Sequence, residues 1–283
     1  MKRISFHGVR IPAIGMGTWH MGSDPQVYDQ EKKTLQTGLK HGDNVIDTAE
    51  SYGNGDSEQL VGDAIKDFSR HKLFLISKFV PAHAEPKLMK RSLTGSLKRL
   101  GTDYLDLYLY HWPGTVPLDQ VVNGMEDLRK SGRIKNWGVS NFSKAQMQKL
   151  IQLPGGQNVF TDEVCYNVGY RNNDYDLLPW LHQHHIPMIA YSPVAGSGYY
   201  NVDLNKNGTL KQIAKKHHVS IFQIMLAWAI RDQQTLAIPQ TSQPKHLVNN
   251  LKAESLRLDR NDLKLINQTF PRPATKQPTS PFL

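Results

Sequence analysis

The sequence predicts an α/β fold: a single (β/α)8 barrel with an N-terminal β-hairpin. Three observations support this prediction. Eight short apolar runs alternate with segments of helical periodicity nearly to the end of the chain. Strands separated by helices form a parallel sheet, because each parallel connection needs a crossover. No linker divides the 283 residues, and a barrel of this kind takes about 250 residues as one domain. We therefore expect one domain, 1–283.

The expected strands are short runs rich in aliphatic and aromatic residues. They are Ile14–Thr18, Asn44–Thr48, Leu73–Lys78, Leu105–His111, Lys135–Ser140, Thr161–Tyr166, Pro187–Ser192 and Thr235–Pro239. Helices are expected between and after them, at Glu31–His41, Asp56–Phe68, Pro86–Leu100, Leu118–Lys130, Lys144–Leu150, Asp176–His185, Thr209–Arg231 and Pro244–Leu251. The long segment 209–231 is expected to break near Val219.

Local signals support several of these boundaries. Pro86 near the start and Gly101 after the end are typical of the limits of a helix. Asp56 is expected to cap the second helix, supported by Gln59 three residues later. Apolar residues on both sides of His7-Gly8 predict a hairpin that closes the bottom of the barrel. The proline-rich tail, 271–283, is expected to be irregular.

Composition narrows the class of protein. The chain has one cysteine, Cys165, so it forms no internal disulfide, which suits a reducing cytoplasm. Residues 2–12 lack the apolar core of a signal peptide, and the segment "IFQIMLAWAI" is about half as long as a membrane span. The net charge of +9 is spread along predicted helices, which favours a small anionic ligand over nucleic acid. We expect a cytoplasmic protein that binds neither membrane nor nucleic acid.

Polar residues collect where the predicted strands end. In a (β/α)8 barrel the carboxyl ends of the strands line one rim, where the chemistry takes place. In strand order the residues at these ends are Asp47, Lys78, His111, Ser140, Asn141, Glu163, Tyr191, Ser192, Gln240 and Thr241. Tyr52 follows the first of these strands in a loop. The sequence therefore predicts an acid–base cluster at this rim.

This cluster has a specific chemical logic. A free tyrosine has a pKa of about 10, too high for ready proton exchange near neutrality. A buried ammonium at Lys78 would favour the phenolate of Tyr52, and Asp47 would hold that lysine charged. His111 could donate a hydrogen bond to a substrate oxygen. A phenol that protonates a carbonyl oxygen suits a reduction, and the hydride must come from a cofactor because no side chain supplies one.

Structural interpretations compete with this one. Asp47 and Lys78 could form a purely structural ion pair, Tyr52 could be a packed loop aromatic, and His111 could be a hydrogen-bonded interior histidine. Their coincidence on one rim favours the functional interpretation. The histidine-rich segment "LHQHH" lacks a third ligand, so we expect no metal site. The segment "GMGTW" has a Gly-x-Gly pair but no Rossmann context.

Several segments together resemble the aldo-keto reductase family. They are "DTAESYGN", "LISKF", "SLKRLGTDYLDLYLYHWP", "GRIKNWGVSNF" and "AYSPVAGSG", and they follow one another in order across nearly the whole chain. The chain is most similar to small bacterial members. The resemblance implies a (β/α)8 barrel that holds an extended nicotinamide dinucleotide across the strand ends without a Rossmann fold. It implies an enzyme, an NAD(P)H-dependent reductase of aldehydes and ketones.

The resemblance also implies a role for each site residue. In this pattern Tyr52 donates the proton, Lys78 lowers its pKa, Asp47 pairs with Lys78, and His111 orients the carbonyl. The implied cofactor contacts are Gly17, Thr18, Trp19, Ser140, Asn141, Glu163, Tyr191, Ser192, Val194, Gly196, Gln240, Thr241, Ser242, His246, Asn249 and Asn250. The implied substrate pocket is formed by Trp19, Tyr52, His111 and Trp112.

Two positions depart from the family pattern. Many members have glutamine where this chain has Glu163, and a carboxylate can accept a hydrogen bond from an amide but cannot donate one unless it is protonated. The lysine and arginine that usually bind a 2′-phosphate are Gln240 and His246 here. We expect NADP(H) to be preferred, with NAD(H) as the alternative cofactor.

The sequence thus predicts a soluble, monomeric oxidoreductase that acts on a small carbonyl substrate. Two other functions stay open at this point. One is a non-catalytic, nicotinamide-nucleotide-binding regulatory subunit of the same fold, and the intact group of four polar residues argues against it. The other is a phosphate-binding barrel isomerase, which would neither bind nor consume a nicotinamide cofactor.

Overall fold

The computed structural model describes residues 3–195 and 204–280, in which a hairpin precedes a sheet of eight parallel strands. The hairpin strands are β1 (Arg3–Phe6) and β2 (Val9–Pro12). The strands of the sheet are β3 (Met16–Gly17), β4 (Val45–Asp47), β5 (Phe74–Phe79), β6 (Leu105–Tyr110), β7 (Ile134–Ser140), β8 (Asp162–Cys165), β9 (Met188–Tyr191) and β10 (Thr235–Ala237). Each strand pairs with the next one along the chain. All eight predicted strands are therefore confirmed, with small shifts of their ends.

The sheet closes on itself between its first and last strands. Gly17 N donates a hydrogen bond to Pro239 O at 3.1 Å, and Gly15 N donates to Ala237 O at 2.8 Å. In return, Ala237 N donates to Ala13 O at 3.0 Å. The bonds have the parallel pattern of the other strand pairs, so no sheet edge is left open at this seam. The predicted (β/α)8 barrel is confirmed.

Helices surround the barrel, and all but the last of those described lie at predicted places. They are α1 (Tyr28–Lys40), α2 (Asp56–Ile65), α3 (Pro86–Leu100), α4 (Leu118–Lys130), α5 (Lys144–Ile151), α6 (Leu177–Gln183), α7 (Gly208–His217), α8 (Ile221–Ala229), α9 (Pro244–Leu251) and α10 (Arg260–Thr269). Helix α3, for example, buries Leu93, Leu97 and Leu100 along one face. None of the helices so described is long and apolar enough to cross a membrane.

Of two predicted helix boundaries, one is confirmed and one is wrong. The expected break near Val219 is confirmed, since His218 has a left-handed φ of 54° and Ser220 caps α8 in a capping box with Gln223. The predicted cap of α2 is wrong. A 3-10 turn at Tyr52–Gly55 runs directly into this helix, so Asp56 already has helical φ and ψ and makes no capping bond.

Helix α10 was not predicted. Asp259 caps it, and Asp262 completes the capping box three residues later. Its one buried apolar residue, Ile266, gives only a weak periodic signal in the sequence. The tail beyond it is irregular through residue 280, as expected.

The hairpin closes the bottom of the barrel as predicted. Phe6 packs against Phe160, which precedes β8, with ring centroids 5.9 Å apart. His7 Nε2 lies 3.1 Å from the Phe160 carbonyl oxygen. Phe74, the first residue of β5, also stacks on Phe160, with ring centroids 6.3 Å apart. These contacts cover the amino ends of the strands, so the opposite rim is the one open to ligands.

We expect Gly17→Ala to weaken the barrel seam. A Cβ at Gly17 would lie 2.7 Å from the Ile238 carbonyl oxygen, which is backbone and cannot move without disturbing β10. The free energy of unfolding should fall by about 1–3 kcal/mol in urea denaturation. Gly208→Ala is the matched control, because Gly208 begins a helix and has open space around it. Equal losses in the two variants would contradict this account of the seam.

Candidate active site

A cavity of about 430 Å³ lies at the rim formed by the carboxyl ends of the barrel strands. Most of the predicted site residues line it together: Gly17, Thr18, Trp19, Asp47, Tyr52, His111, Trp112, Ser140, Asn141, Glu163, Tyr191, Ser192, Val194 and Gln240. Lys78 lies beneath this lining and is completely buried. Gly196, the remaining predicted residue of the turn after β9, lies outside the described residues.

Strand register brings the charged residues together. Asp47 ends β4 and pairs with Ile76 of β5, two residues before Lys78. Because alternate side chains of a strand share a face, Asp47 and Lys78 both point into the barrel. Lys78 Nζ donates to Asp47 Oδ1 at 2.6 Å and to the Thr48 carbonyl oxygen at 3.0 Å. The ammonium also lies 3.3 Å from Tyr52 Oη.

The electrostatics of this group follow from its burial. Burial alone would lower the pKa of Lys78, but Asp47 and other acidic neighbours outweigh it, so the pKa lies above its usual value and the ammonium stays charged. Burial also raises the pKa of the Tyr52 phenol, and Lys78 opposes that rise. Lys78 acts on Tyr52 in the predicted direction, but burial is the larger influence, so the pKa of Tyr52 lies above its usual value rather than below it.

His111 follows β6 and faces Tyr52 across the cavity. Its ring meets the Tyr52 ring edge-on, with centroids 5.7 Å apart, and its Nδ1 lies 3.4 Å from Ser51 Oγ. Burial lowers the pKa of His111 well below its usual value, and Lys78 lowers it further. The imidazole is therefore neutral at neutral pH and has one N–H to donate.

Glu163 belongs to the same buried group as Asp47, Lys78 and Tyr52, although its place in the sequence does not predict this. Its Oε1 lies 3.4 Å from Lys78 Nζ, and its side chain is 2% exposed. Burial raises the pKa of Glu163 well above its usual value, and Asp47 raises it further. The sequence placed this residue at the correct strand end but gave no sign that it would meet the lysine of another strand.

Polar residues on the far side of the cavity hold one another in place. Asn141 Nδ2 donates to the His111 carbonyl oxygen at 3.1 Å and to Ser140 Oγ at 3.0 Å. Tyr191 Oη donates to Asn141 Oδ1 at 2.9 Å, and Ser140 Oγ donates to the Glu163 carbonyl oxygen at 2.8 Å. This network fixes the side chains that the sequence analysis assigned to a nicotinamide ring.

Strained backbone marks the same rim. Asn141, Ser192 and Ala195 have φ values of 63°, 49° and 54°, which residues other than glycine rarely adopt. Such strain concentrates at functional sites, and turns of left-handed residues expose backbone N–H groups that can bind anions. The turn after β9 thus suits a pyrophosphate, and the aromatic ring of Tyr191 beside it suits a nicotinamide. The residues present fit a nicotinamide dinucleotide.

The loop from Gln240 into α9 leads away from the cavity. Thr241 Oγ1 accepts a hydrogen bond from Gln243 N at 3.2 Å. The Ser242 carbonyl oxygen accepts from Gln30 Nε2 at 3.0 Å and from Thr34 Oγ1 at 2.9 Å, which ties the loop to α1. The other residues predicted here lie on α9: His246 is exposed, Asn249 is partly exposed and Asn250 is buried.

Three polar residues that line the cavity were not predicted: His20, Ser51 and Ser280. His20 stacks on Trp19 with ring centroids 4.1 Å apart and has a left-handed φ of 66°. Ser280 Oγ lies 3.0 Å from Tyr191 Oη, which brings the irregular tail to the cavity. No periodic signal marks these positions, because loops and the tail bring them there.

Comparison with known proteins places these features in a family. Residues 13–270 match the Aldo/keto reductase family. Methylglyoxal reductase YeaE of Escherichia coli K12 is 41% identical over 276 residues, which cover 97% of each chain. Methylglyoxal reductase DkgB of Escherichia coli O157:H7 is 32% identical over 90% of this chain and 92% of its own. The crystal structure of a Klebsiella pneumoniae aldo/keto reductase with NADP and acetate superposes with a TM-score of 0.95, at 38% identity and 99% coverage of both chains.

We expect Tyr52 to stay protonated at a pH where a free tyrosine ionises. At about pH 10 half of a model tyrosine is phenolate, but burial raises the pKa of Tyr52 above this value. The ultraviolet difference between the protein and its Tyr52→Phe variant should therefore show no phenolate at that pH. N-acetyltyrosinamide is the control. A phenolate signal of about half a tyrosine would mean that Lys78 outweighs burial.

Proposed function

Because the chain belongs to the aldo/keto reductase family, we propose that Asp47, Tyr52, Lys78 and His111 form the catalytic centre of an NADPH-dependent reductase of aldehydes and ketones. One observation carries the proposal. The Tyr52 phenol lies on the cavity wall, 3.3 Å from a fully buried ammonium that is itself held by Asp47. A phenol in this setting can give its proton to a carbonyl oxygen and keep the resulting negative charge beside Lys78.

The cofactor site is part of the same proposal. When bound, the nicotinamide cofactor supplies the hydride. Ser140, Asn141 and Glu163, which line one cavity with Tyr191, would hold the carboxamide, and the Tyr191 ring would stack on the nicotinamide. Ser192 and the residues after it would bind the pyrophosphate.

The substrate end of the cavity determines how the carbonyl is held. The neutral imidazole of His111 can donate one N–H to the carbonyl oxygen, which orients it toward Tyr52 Oη. Trp19 and Trp112 would form the apolar walls. Relatives that are 41% and 32% identical are named methylglyoxal reductases, so small aldehydes with a second oxygen, such as methylglyoxal, are the proposed substrates.

The regulatory-subunit alternative is less well supported. A subunit that only binds a nucleotide has no use for a completely buried lysine beside a phenol, because burying an ammonium costs free energy. The barrel isomerase is likewise disfavoured, because the cavity fits a nicotinamide dinucleotide. We further propose that the protein is a cytoplasmic monomer of one domain, on the basis of its composition and charge.

We propose a modest preference for NADPH over NADH. The start of α9 carries Lys245 and His246, both exposed, and the positive end of this helix favours an anion. No acidic residue occurs from 235 to 253 to repel a 2′-phosphate. The preference should be modest because the region lacks the arginine that would bind this phosphate through two parallel hydrogen bonds.

Tyr52→Phe should lower kcat for methylglyoxal reduction at least ~10²-fold, because the variant lacks the phenolic proton. NADPH binding, followed by quenching of tryptophan fluorescence, should persist. Tyr175→Phe is the matched control, since Tyr175 is 45% exposed on the surface and should tolerate the same change. Substantial turnover by Tyr52→Phe would remove this residue from its proposed role.

NADPH should give a higher kcat/KM than NADH at neutral pH and low salt, and added salt should reduce the difference because it screens the exposed cations near α9. The same salt series with NADH is the control. Replacing Gln240 by lysine and His246 by arginine should strengthen the preference, mainly through KM for NADPH. An equal or higher kcat/KM with NADH would show that this loop does not select the 2′-phosphate.

A further inference from the structure

The buried charges at the cavity floor do not balance if every group is ionised. Lys78 contributes one positive charge, and Asp47 and Glu163 could contribute two negative ones, all with side chains at most 2% exposed. The remaining titratable groups around Glu163 are Tyr52, His111 and Tyr191, which line the same cavity. The imidazole of His111 is neutral because burial lowers its pKa well below the usual value, and a phenol is never a cation, so none of these groups supplies a second positive charge.

Two carboxyl oxygens in this group lack a hydrogen-bond donor. Asp47 Oδ2 and Glu163 Oε2 are both buried, and no group in the described parts of the chain donates to either one. A buried acceptor without a donor is costly, and native proteins rarely contain one. Both side chains contact the same ammonium, because Asp47 Oδ1 lies 2.6 Å and Glu163 Oε1 lies 3.4 Å from Lys78 Nζ, so the two carboxyl groups are neighbours. Two ionised carboxylates cannot hydrogen-bond to each other, but an acid and a carboxylate can.

The geometry points to Glu163 as a neutral carboxylic acid that donates a hydrogen bond to the carboxylate of Asp47. The distances decide which carboxyl bears the proton. Asp47 Oδ1 is 2.6 Å from the ammonium of Lys78 and keeps the negative charge, whereas Glu163 Oε1 is 3.4 Å away. The three residues then hold one cation, one anion and one neutral acid. Burial, which raises the pKa of Glu163 well above its usual value, acts in the same direction.

The consequence of this assignment for catalysis rests on the proposed function. As a neutral acid, Glu163 is a positioning residue: it orients Asp47 and leaves the charge of Lys78 to act on Tyr52. An ionised Glu163 would be a second anion beside Lys78 and would raise the pKa of Tyr52. The phenol would then be a weaker acid. The proton also gives Glu163 a hydrogen-bond donor, as a glutamine at this position would have.

Infrared difference spectra of the full chain, without cofactor or substrate, test where the proton lies. At neutral pH the protein should show a carbonyl stretch of a protonated carboxylic acid that shifts in D2O and is missing from Glu163→Gln. Glu126→Gln is the matched control. Arg129 and Trp137 hydrogen-bond to the Glu126 carboxyl and lower its pKa, so this variant should lose only carboxylate bands. Loss of carboxylate bands from Glu163→Gln would overturn the inference.

Asp47→Asn provides an independent test of the charge count. With Asp47 neutral, Lys78 needs Glu163 as its anion, so Glu163 should release its proton and the acid band should disappear from this variant as well. An acid band that persists unchanged would overturn the inference. Both spectra are independent of turnover, so they assign the proton whether or not the protein reduces carbonyls.

Steady-state kinetics test the link to Tyr52. The ratio of kcat/KM of the wild type to that of Glu163→Gln, measured with NADPH and methylglyoxal, should stay constant across the neutral range. It should fall by about threefold at alkaline pH, because only the wild type then gains a second anion beside Lys78 and a weaker phenolic acid. A ratio that stays flat at alkaline pH would remove Glu163 from this role. Absence of turnover in both proteins would instead contradict the proposed function.

Discussion

Burial of the Lys78 ammonium is the constraint from which the rest of the site follows. An ammonium taken out of water must be compensated by an anion and by hydrogen-bond acceptors, or it loses its proton. The barrel provides Asp47 Oδ1, the Thr48 carbonyl oxygen and Tyr52 Oη, all within 3.3 Å. Each comes from the end of β4 or the loop after it, so the pairing of β4 with β5 must be accurate. The geometry of the proposed catalytic centre thus depends on the strand register and on the short segment after β4 that carries Tyr52.

The barrel seam and the rim share one part of the chain. Gly17 bonds to Pro239 across the seam, and the same two residues line the cavity. A side chain larger than hydrogen at Gly17 would disturb both, because the closing strand passes within contact distance of it. On the opposite side of the cavity, strain is stored at Asn141 and Ser192, where the backbone leaves the strands in left-handed conformations. The rigid strands hold these unfavourable conformations in place.

The sequence predicts the features that depend on local patterns and misses those that depend on contacts between distant parts of the chain. Strands and most helices follow from periodicity, and the proposed catalytic residues follow from their place at or just after strand ends, which parallel order brings to one rim. The cap of α2 could not be predicted, because a 3-10 turn after Tyr52 takes the place of a side-chain cap. Ser280 reaches the cavity only because residues 278 and 279 bond to the segment 170–173 across the fold. Contacts of this range leave no local signal.

Glu163 shows that the effect of a side chain in a buried cluster depends on the proton it binds there, and not on the charge it would carry in water. Glutamine and a protonated glutamate have similar shapes, and each offers one acceptor oxygen and at least one donor. A single buried cation favours one anion near it, and Asp47 takes that place at 2.6 Å. A further carboxyl in the same dry space is more stable with its proton than without it. Glu163 therefore adds a proton-binding site to the cluster rather than a second negative charge, and Lys78 keeps its effect on Tyr52.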